Sequence, residues 1–253
     1  MMLQASLFAP PCPPPCVAAV DVHAVSMPAR TFTGDFWFTH RADDRLWFAL
    51  GDVAGKGLPA ALVMAMIQEE LEQQVTLCAR TGCDPATTVQ RLHAFLRPLM
   101  PGNRFATMVL GWIRDDGVVR LANGGHCPPL ILRADGTVEP IDSTGPAVGL
   151  LPSSRWRSRT LSLAPGETLL LYSDGVIEAA SDRGLEFGTE GILRALRSGP
   201  SSAAEVAAAV VDAVDAHAGG RREDDLTVLV MARGSHDANS FGSSARISSA
   251  RMP

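Results

Sequence analysis

The chain has 253 residues, of which 46% are hydrophobic and 19% are charged, and its formal net charge is −5. This length and composition allow a sizeable core in one large domain or two small ones. No basic tract stands out, so the sequence does not indicate a nucleic-acid partner, and the longest apolar runs are too short to span a bilayer.

The two ends of the chain have biased compositions. Residues 1–16 are rich in proline, which predicts an extended segment, and residues 234–253 are rich in serine, which predicts a disordered tail. One domain is predicted between them, residues 17–233. The first residues lack the basic region of a signal peptide, and an odd number of cysteines, five, favours reduced thiols. We therefore expect a cytoplasmic protein.

The hydrophobic periodicity predicts strands and helices in an order typical of an α+β layered domain. The predicted strands are 17–26, a hairpin over 35–52, then 105–113, 117–123, 128–133, 137–142, 158–163, 167–175 and 225–232. The predicted helices are 58–80, 85–100, 189–198 and 202–218.

The stretch "GDVAGKGLPA", residues 51–60, has glycines around a lysine and raises the question of a nucleotide-binding loop. A P-loop needs a glycine five positions before the glycine of its Gly-Lys pair and a hydroxyl residue after the lysine. Those positions hold Leu50 and Gly57, so the pattern fails at both ends. What remains is Asp52 at the end of an apolar run, which could be a metal ligand or only a turn residue.

Acidic residues lie at the ends of several predicted strands. They are Asp35, Asp52, Asp174, Glu223, Asp224 and Asp225. Carboxylates gathered at one rim of a sheet repel each other unless cations compensate, and oxygen ligands suit Mg²⁺ or Mn²⁺. Two such ions about 3.5–4 Å apart would share a water that becomes a nucleophile near neutral pH. The alternative is a set of unrelated turn acids, and the pattern by itself leaves both open.

Eight ordered blocks covering about residues 3–232 resemble one protein family. They read "PARTFTGDF", "LGDVAGKGLPAALVMA", "FATMVLGWI", "LANGGHCPPLIL", "GLLP", "LAPGETLLLYSDGVIEA", "GLEFG" and "DDLTVLV". The family is the metal-dependent PPM-type protein phosphatases, also called protein phosphatase 2C-like, and within it the bacterial SpoIIE/RsbU-like branch. Any one block alone would be a weak match, whereas eight in order are highly specific.

The resemblance implies a four-layer α-β-β-α sandwich, in which two antiparallel sheets are flanked by helices. It also implies two Mn²⁺ or Mg²⁺ ions at one end of the sandwich. Asp52 would bridge the ions, and the carbonyl of Val53 would complete the shell of one of them. Asp174 and Asp224 would hold the second ion, with a one-residue ambiguity between Asp224 and Asp225. Asp35 would orient the water held by the ions.

The activity implied by the resemblance is hydrolysis of phosphoserine or phosphothreonine on a protein. The activated water would attack phosphorus in line without a phosphoenzyme. The usual substrate in this branch is a STAS-domain anti-sigma-factor antagonist. A separate regulatory protein could dock on the long helix after Asp52 or on the Pro-rich start.

Some positions depart from the pattern of the family. Thr33 replaces the first glycine of G-G-D-F-Y-D, and Phe38 replaces its second aspartate. Lys56 stands where many relatives have histidine, and it could steer phosphate or simply be solvated. Arg30 lies where the resemblance implies a phosphate-binding arginine, and the alternative is an ordinary surface residue. His126 could be mistaken for a general acid, but we interpret it as a turn histidine that caps the backbone.

Two other classes of function stay open. The departures at Thr33 and Phe38 motivate a catalytically weak, phosphatase-like interaction module in a partner-switching system. Retention of all the mutually repelling acids counts against it. The third class is a metal-dependent phosphohydrolase acting on a small molecule, which a deep, closed pocket would favour.

Overall fold

The structure is a computed structural model and describes residues 20–29, 31–42, 44–55, 57–100 and 104–234. Within these ranges the chain forms two five-stranded antiparallel sheets with helices on their outer faces. The predicted Pro-rich segment 1–16 lies outside the described residues, as do 235–253 of the predicted tail.

The strands follow the predicted order closely. They are β1 (Val20–Met27), β2 (Asp35–Ala42), β3 (Arg45–Val53), β4 (Ala106–Arg114), β5 (Val118–Gly124), β6 (Leu130–Leu132), β7 (Val138–Pro140), β8 (Arg159–Ser162), β9 (Thr168–Tyr172) and β10 (Leu226–Arg233). One sheet has the order β1-β10-β9-β6-β7 and the other β2-β3-β4-β5-β8. We call them the first sheet and the second sheet.

The helices complete the layers. They are α1 (Leu58–Thr81), α2 (Pro85–Leu96), α3 (Asp174–Ile177), α4 (Gly188–Ala195) and α5 (Ala203–Ala218), with 3-10 turns at Arg97–Leu99 and Leu196–Ser198. None of the helices in the described ranges is both long and apolar enough to cross a bilayer.

Three hydrophobic clusters separate the four layers. Helices α1 and α2 cover the second sheet through residues such as Ile67, Leu92 and Leu110. Helices α4 and α5 cover the first sheet in the same way. The third cluster lies between the sheets and includes Leu50 and Leu229. The predicted α-β-β-α sandwich is thus confirmed.

Two predicted elements end earlier than their patterns suggested. The helix predicted over 85–100 is α-helical only to Leu96 and ends in a 3-10 turn, because Pro98 has no N–H to continue the hydrogen-bond ladder. The strand predicted over 167–175 stops at Tyr172, and Asp174–Ile177 forms one helical turn. Ser173 precedes that turn in an extended conformation, so Asp174 opens a helix instead of closing a strand.

Replacing Ser202 with alanine should lower the free energy of unfolding by about 1 kcal/mol. Ser202 is the N-cap of α5, where its hydroxyl accepts from the Glu205 amide at 3.2 Å and Glu205 accepts from the Ser202 amide at 3.2 Å. Urea denaturation would measure the loss. Ser202→Asp should retain most of the stability because aspartate also caps helices, and equal losses in both variants would contradict the capping argument.

Candidate metal centre

One end of the second sheet carries a row of polar side chains. In the register of the hairpin Asp35 lies opposite Asp52, and Asp52 lies opposite Thr107 on β4. Side chains alternate between faces along a strand, so these three continue the face that carries Leu50 and Val109. That face packs against the first sheet, which means the row points into the gap between the sheets.

The first sheet supplies a matching row from the opposite side. Ser173 follows β9, and Thr227 is the second residue of β10. The Ser173 amide donates to the Thr227 carbonyl at 2.9 Å, and the Thr227 amide donates to the Ser173 hydroxyl at 2.9 Å. This pairing ties the start of α3, which is Asp174, to the segment that enters β10 with Asp224 and Asp225. The acids of the first sheet are thereby brought to the same end as Asp35 and Asp52.

The pKa of Asp52 reflects the proximity of these acids. Its pKa is raised from 3.8 to about 7, first by burial and then by the negative charges of Asp174, Asp224 and Asp225. The amide of Val53 donates to it and partly opposes the rise. Asp52 is only half-buried. Four carboxylates from two sheets therefore act on one another at this end of the sandwich.

Asp35 is the most deeply buried of these acids, with 5% of its surface exposed. Burial raises its pKa well above the ordinary value, and the charges of Asp52 and Asp225 add to the rise. Hydroxyls of Thr227 and Ser173 act in the opposite direction. Within the described residues the Oδ2 atom of Asp35 is buried without a hydrogen-bond partner. A buried carboxylate oxygen in this state needs a proton, a water or a cation.

Glycine is required beside Asp52. The Val53 amide donates to the Gly34 carbonyl at 3.2 Å, which brings these two segments into close contact. A Cβ at Gly34 would lie 2.5 Å from Asp52 Oδ1 and 2.9 Å from the Val53 carbonyl oxygen. Asp52 Oδ1 and the Val53 carbonyl oxygen, both expected to bind metal, therefore lie against the backbone of Gly34, which has no side chain.

The neighbouring acids Asp224 and Asp225 have different surroundings. Asp225 is half-buried, and its Oδ1 accepts from the Ala29 amide at 2.8 Å. Asp224 is exposed, and its Oδ1 accepts from the Asp225 amide at 3.0 Å. The carboxylate of Asp225 thus holds residue 29, and the assignment of Asp224 as the ligand of the pair stays a prediction. Arg30 and Lys56 lie outside the described residues, and their expected contacts with phosphate stay predictions.

The donor set suits hard divalent cations. All candidate ligands are oxygens, they repel one another, and one buried oxygen lacks a partner. As the side chains stand, no three Asp, Glu, His or Cys groups in the described parts of the chain are close enough to share an ion. The carboxylates therefore fit the ions in chemical kind and gather at one end of the sandwich, but their side chains are not close enough to share an ion as they stand.

Sequence reasoning missed the hydroxyls that line this end, namely those of Thr107, Ser173 and Thr227. It also assigned the wrong contact to His126. The amide of Asn123 closes the turn, because its Oδ1 accepts from the His126 amide at 2.8 Å and its Nδ2 donates to the His126 carbonyl at 3.1 Å. The ring instead contacts Thr107, with 2.8 Å between Nδ1 and Oγ1. No sequence signal marks that contact, since it depends on the strand register.

A cleft of about 440 Å³ opens beside the acids. Its walls include Gly175, Glu178, Arg221, Arg222 and Asp224. A Cβ at Gly175 would overlap the Asp225 carbonyl oxygen, so this glycine lets α3 pack against the segment that enters β10. Asp224 thus lies in the wall of this cleft.

The sequence of this chain matches one known protein family. The family described as Stage II sporulation protein E (SpoIIE) matches residues 42–234, which include β3, both sheets' central strands and the acids from Asp52 onward. The chain belongs to this family. The branch expected from the sequence blocks is thereby confirmed.

Several proteins resemble this SpoIIE-family chain. Protein IcfG of Synechocystis sp. is 29% identical over 84% of this chain and 38% of its own length. The phosphoserine phosphatase RsbU of Bacillus subtilis is 27% identical over 66% of this chain and 49% of its own length. The solved RsbU and RsbW domains of Rv1364c from Mycobacterium tuberculosis superpose with a TM-score of 0.74 at 28% identity, covering 87% of this chain and 62% of that one. The chain spans less than half the length of the curated relatives it matches, between 38% and 49%.

Proposed function

We propose that this chain is a protein phosphatase that removes phosphate from serine or threonine with the help of two Mn²⁺ or Mg²⁺ ions. The observation that carries the proposal is the convergence of Asp52, Asp174 and Asp224 at one end of the two sheets, where burial first and the charges of the other acids second raise the Asp52 pKa to about 7. Repulsion of this size destabilises a fold unless a ligand offsets it.

The residues that would hold the ions are Asp52, the Val53 carbonyl, Asp174 and Asp224. Bound cations of this type activate water as a nucleophile and neutralise the charge on a phosphoryl group. The contribution of the chain is positional. The β2–β3 hairpin presents Asp35 opposite Asp52, where a buried carboxylate could hold and orient a water and take up its proton.

The proposed substrate is a phosphorylated partner protein, of which a STAS-type anti-sigma-factor antagonist is the specific candidate. Two comparisons support this class: the relative RsbU is named a phosphoserine phosphatase, and the Rv1364c structure joins RsbU and RsbW domains. The cleft with Arg221 and Arg222 opens at the surface, which suits a protein segment as substrate. We place the reaction in the cytoplasm, under control of a separate regulatory protein.

The proposal is tested by phosphate release from a phosphoserine protein, a phosphoserine peptide and para-nitrophenyl phosphate. Each is assayed with Mn²⁺, with Mg²⁺ and with EDTA. We expect turnover that depends on a divalent cation, is lost in EDTA and is fastest on the phosphoprotein. Mn²⁺ binding without turnover on any substrate would indicate that the chain is a phosphatase-like interaction module and not an enzyme. Turnover of small phosphate esters but of no phosphoprotein or phosphopeptide would instead indicate a small-molecule phosphohydrolase.

A further inference from the structure

His126 occupies the gap between the two sheets, next to the acidic end. It lies in the turn after β5, and 6% of its surface is exposed. The side-chain amide of Asn123 bonds the amide and the carbonyl of the His126 backbone, and the backbone N–H of Asn123 donates to the Thr144 hydroxyl at 2.9 Å. The ring therefore has little freedom to move.

Groups of both sheets act on the ring. Nδ1 lies 2.8 Å from the Thr107 hydroxyl on β4 of the second sheet. The backbone carbonyl of Tyr172, the last residue of β9 in the first sheet, is close enough to affect the ring. Nε2 is buried without a hydrogen-bond partner among the described residues. The Tyr172 carbonyl is thus a backbone acceptor that acts on the ring from the first sheet.

The ring carries one proton under ordinary conditions. Burial lowers the His126 pKa to about 4, and the Tyr172 carbonyl opposes this only in part. A neutral imidazole has one donor and one acceptor. Nδ1 accepting from the Thr107 hydroxyl, with the proton on Nε2 directed at the Tyr172 carbonyl, is the assignment that uses both contacts.

The two contacts lie next to the candidate ligands. Thr107 is directly opposite Asp52 in the β3–β4 register, so the two side chains are cross-strand neighbours on the same face. Tyr172 is two residues before Asp174. A link through His126 between Thr107 and Tyr172 therefore connects β4, which pairs with the strand of Asp52, to β9, which precedes Asp174.

We propose that His126 is a positioning residue that sets the spacing between the two sheets at the metal end, so that Asp52 and Asp174 can bind the same pair of ions. This inference rests on the proposed function, because it concerns ligands of the proposed metal centre. His126 itself neither binds metal nor transfers a proton to the substrate. Its effect is on the affinity for the cations.

The test compares Mn²⁺ affinity in single and double variants, measured from free Mn²⁺ by electron paramagnetic resonance. His126→Phe keeps a ring in the gap without its nitrogens, and Thr107→Val removes the hydroxyl at nearly constant shape. Thr39→Val is the matched control, because Thr39 is a buried threonine on the neighbouring strand pair, in β2, opposite Phe48. Its hydroxyl has no hydrogen-bond partner in the described residues, and it lies away from the acids. Thermal unfolding in EDTA shows which variants fold.

We expect about tenfold weaker Mn²⁺ binding in His126→Phe and in Thr107→Val, and no change in Thr39→Val. The double variant should be no weaker than either single one, because both break the same link. Excess Mn²⁺ should restore turnover in Thr107→Val, since all proposed ligands are still present.

Wild-type Mn²⁺ affinity in a folded Thr107→Val protein would overturn the inference and leave the proposed function intact. Losses in the two single variants that add up in the double variant would also overturn it, since the residues would then act separately. A wild-type chain that binds neither Mn²⁺ nor Mg²⁺ would overturn both the inference and the proposed metal centre.

Discussion

Replacing Asp52 with asparagine should reduce Mn²⁺-dependent phosphate release by roughly 10³-fold or more and remove tight Mn²⁺ binding. Asp52 is the acid on which the charges of Asp174, Asp224 and Asp225 converge, and Gly34 leaves its Oδ1 beside the Val53 carbonyl. Asparagine preserves the shape of the side chain but supplies no charge. The loss should therefore appear in cation binding first and in turnover as its consequence.

The same substitution should have the opposite effect on the stability of the metal-free protein. Removing the Asp52 charge relieves its repulsion with the other acids, so the unfolding free energy in EDTA at pH 8 should rise. Saturating Mn²⁺ should stabilise the wild type by mass action and leave the variant nearly unchanged. Asp212→Asn, an exposed acid on α5, is the matched control and should change neither quantity.

Asp52→Asn should lower the activity and raise the stability of the metal-free protein. A variant that simply unfolds would lose both. Isothermal titration with Mn²⁺, phosphate release and urea denaturation in EDTA would be run on the same preparations. An Asp52→Asn protein that keeps wild-type turnover would remove Asp52 from the proposed centre. One that is less stable than the wild type in EDTA would contradict the repulsion argument.

The stability advantage of Asp52→Asn over the wild type in EDTA should grow by about 2–3 kcal/mol between pH 5 and pH 8. The pKa of Asp52 is about 7 in the folded chain against an ordinary value of 3.8, so the folded state holds this proton more tightly than the unfolded state does. Stability from this group is present at low pH and is lost as the pH rises through about 7. The raised pKa of Asp35 acts in the same direction.

The comparison with the variant is necessary because two buried histidines change the stability with pH in the direction opposite to the carboxylates. The pKa of His93 and that of His126 are both lowered by burial, which makes their contribution to stability rise with pH up to their ordinary value of 6.5. Both histidines are present in the wild type and in Asp52→Asn, so their effect cancels in the difference. Urea denaturation at a series of pH values measures that difference. An advantage that stays constant or shrinks with pH would show that Asp52 ionises normally in the folded chain.

The sequence by itself determined most of the secondary structure. The apolar run of β3 and the long helical run after Asp52 give elements within a few residues of those observed. β3 appears as a continuous run because both of its faces are buried, and α1 shows a helical period because one of its faces packs against the second sheet. The four-residue helix at Asp174 was not found, since one turn is too short to show any periodicity. The layered fold came from the order of the elements together with the resemblance.

The tertiary structure alone decided which side chains share a site. Asp35 and Asp225 are far apart in the chain and affect each other only because β2 and β10 end at the same edge of facing sheets. Strand register placed Thr107 opposite Asp52, and a turn placed His126 against Thr107. A shift of one residue in either strand would turn these side chains to the other face. The sequence could therefore name the acids, and the packing of the two sheets determined their neighbours and their charge.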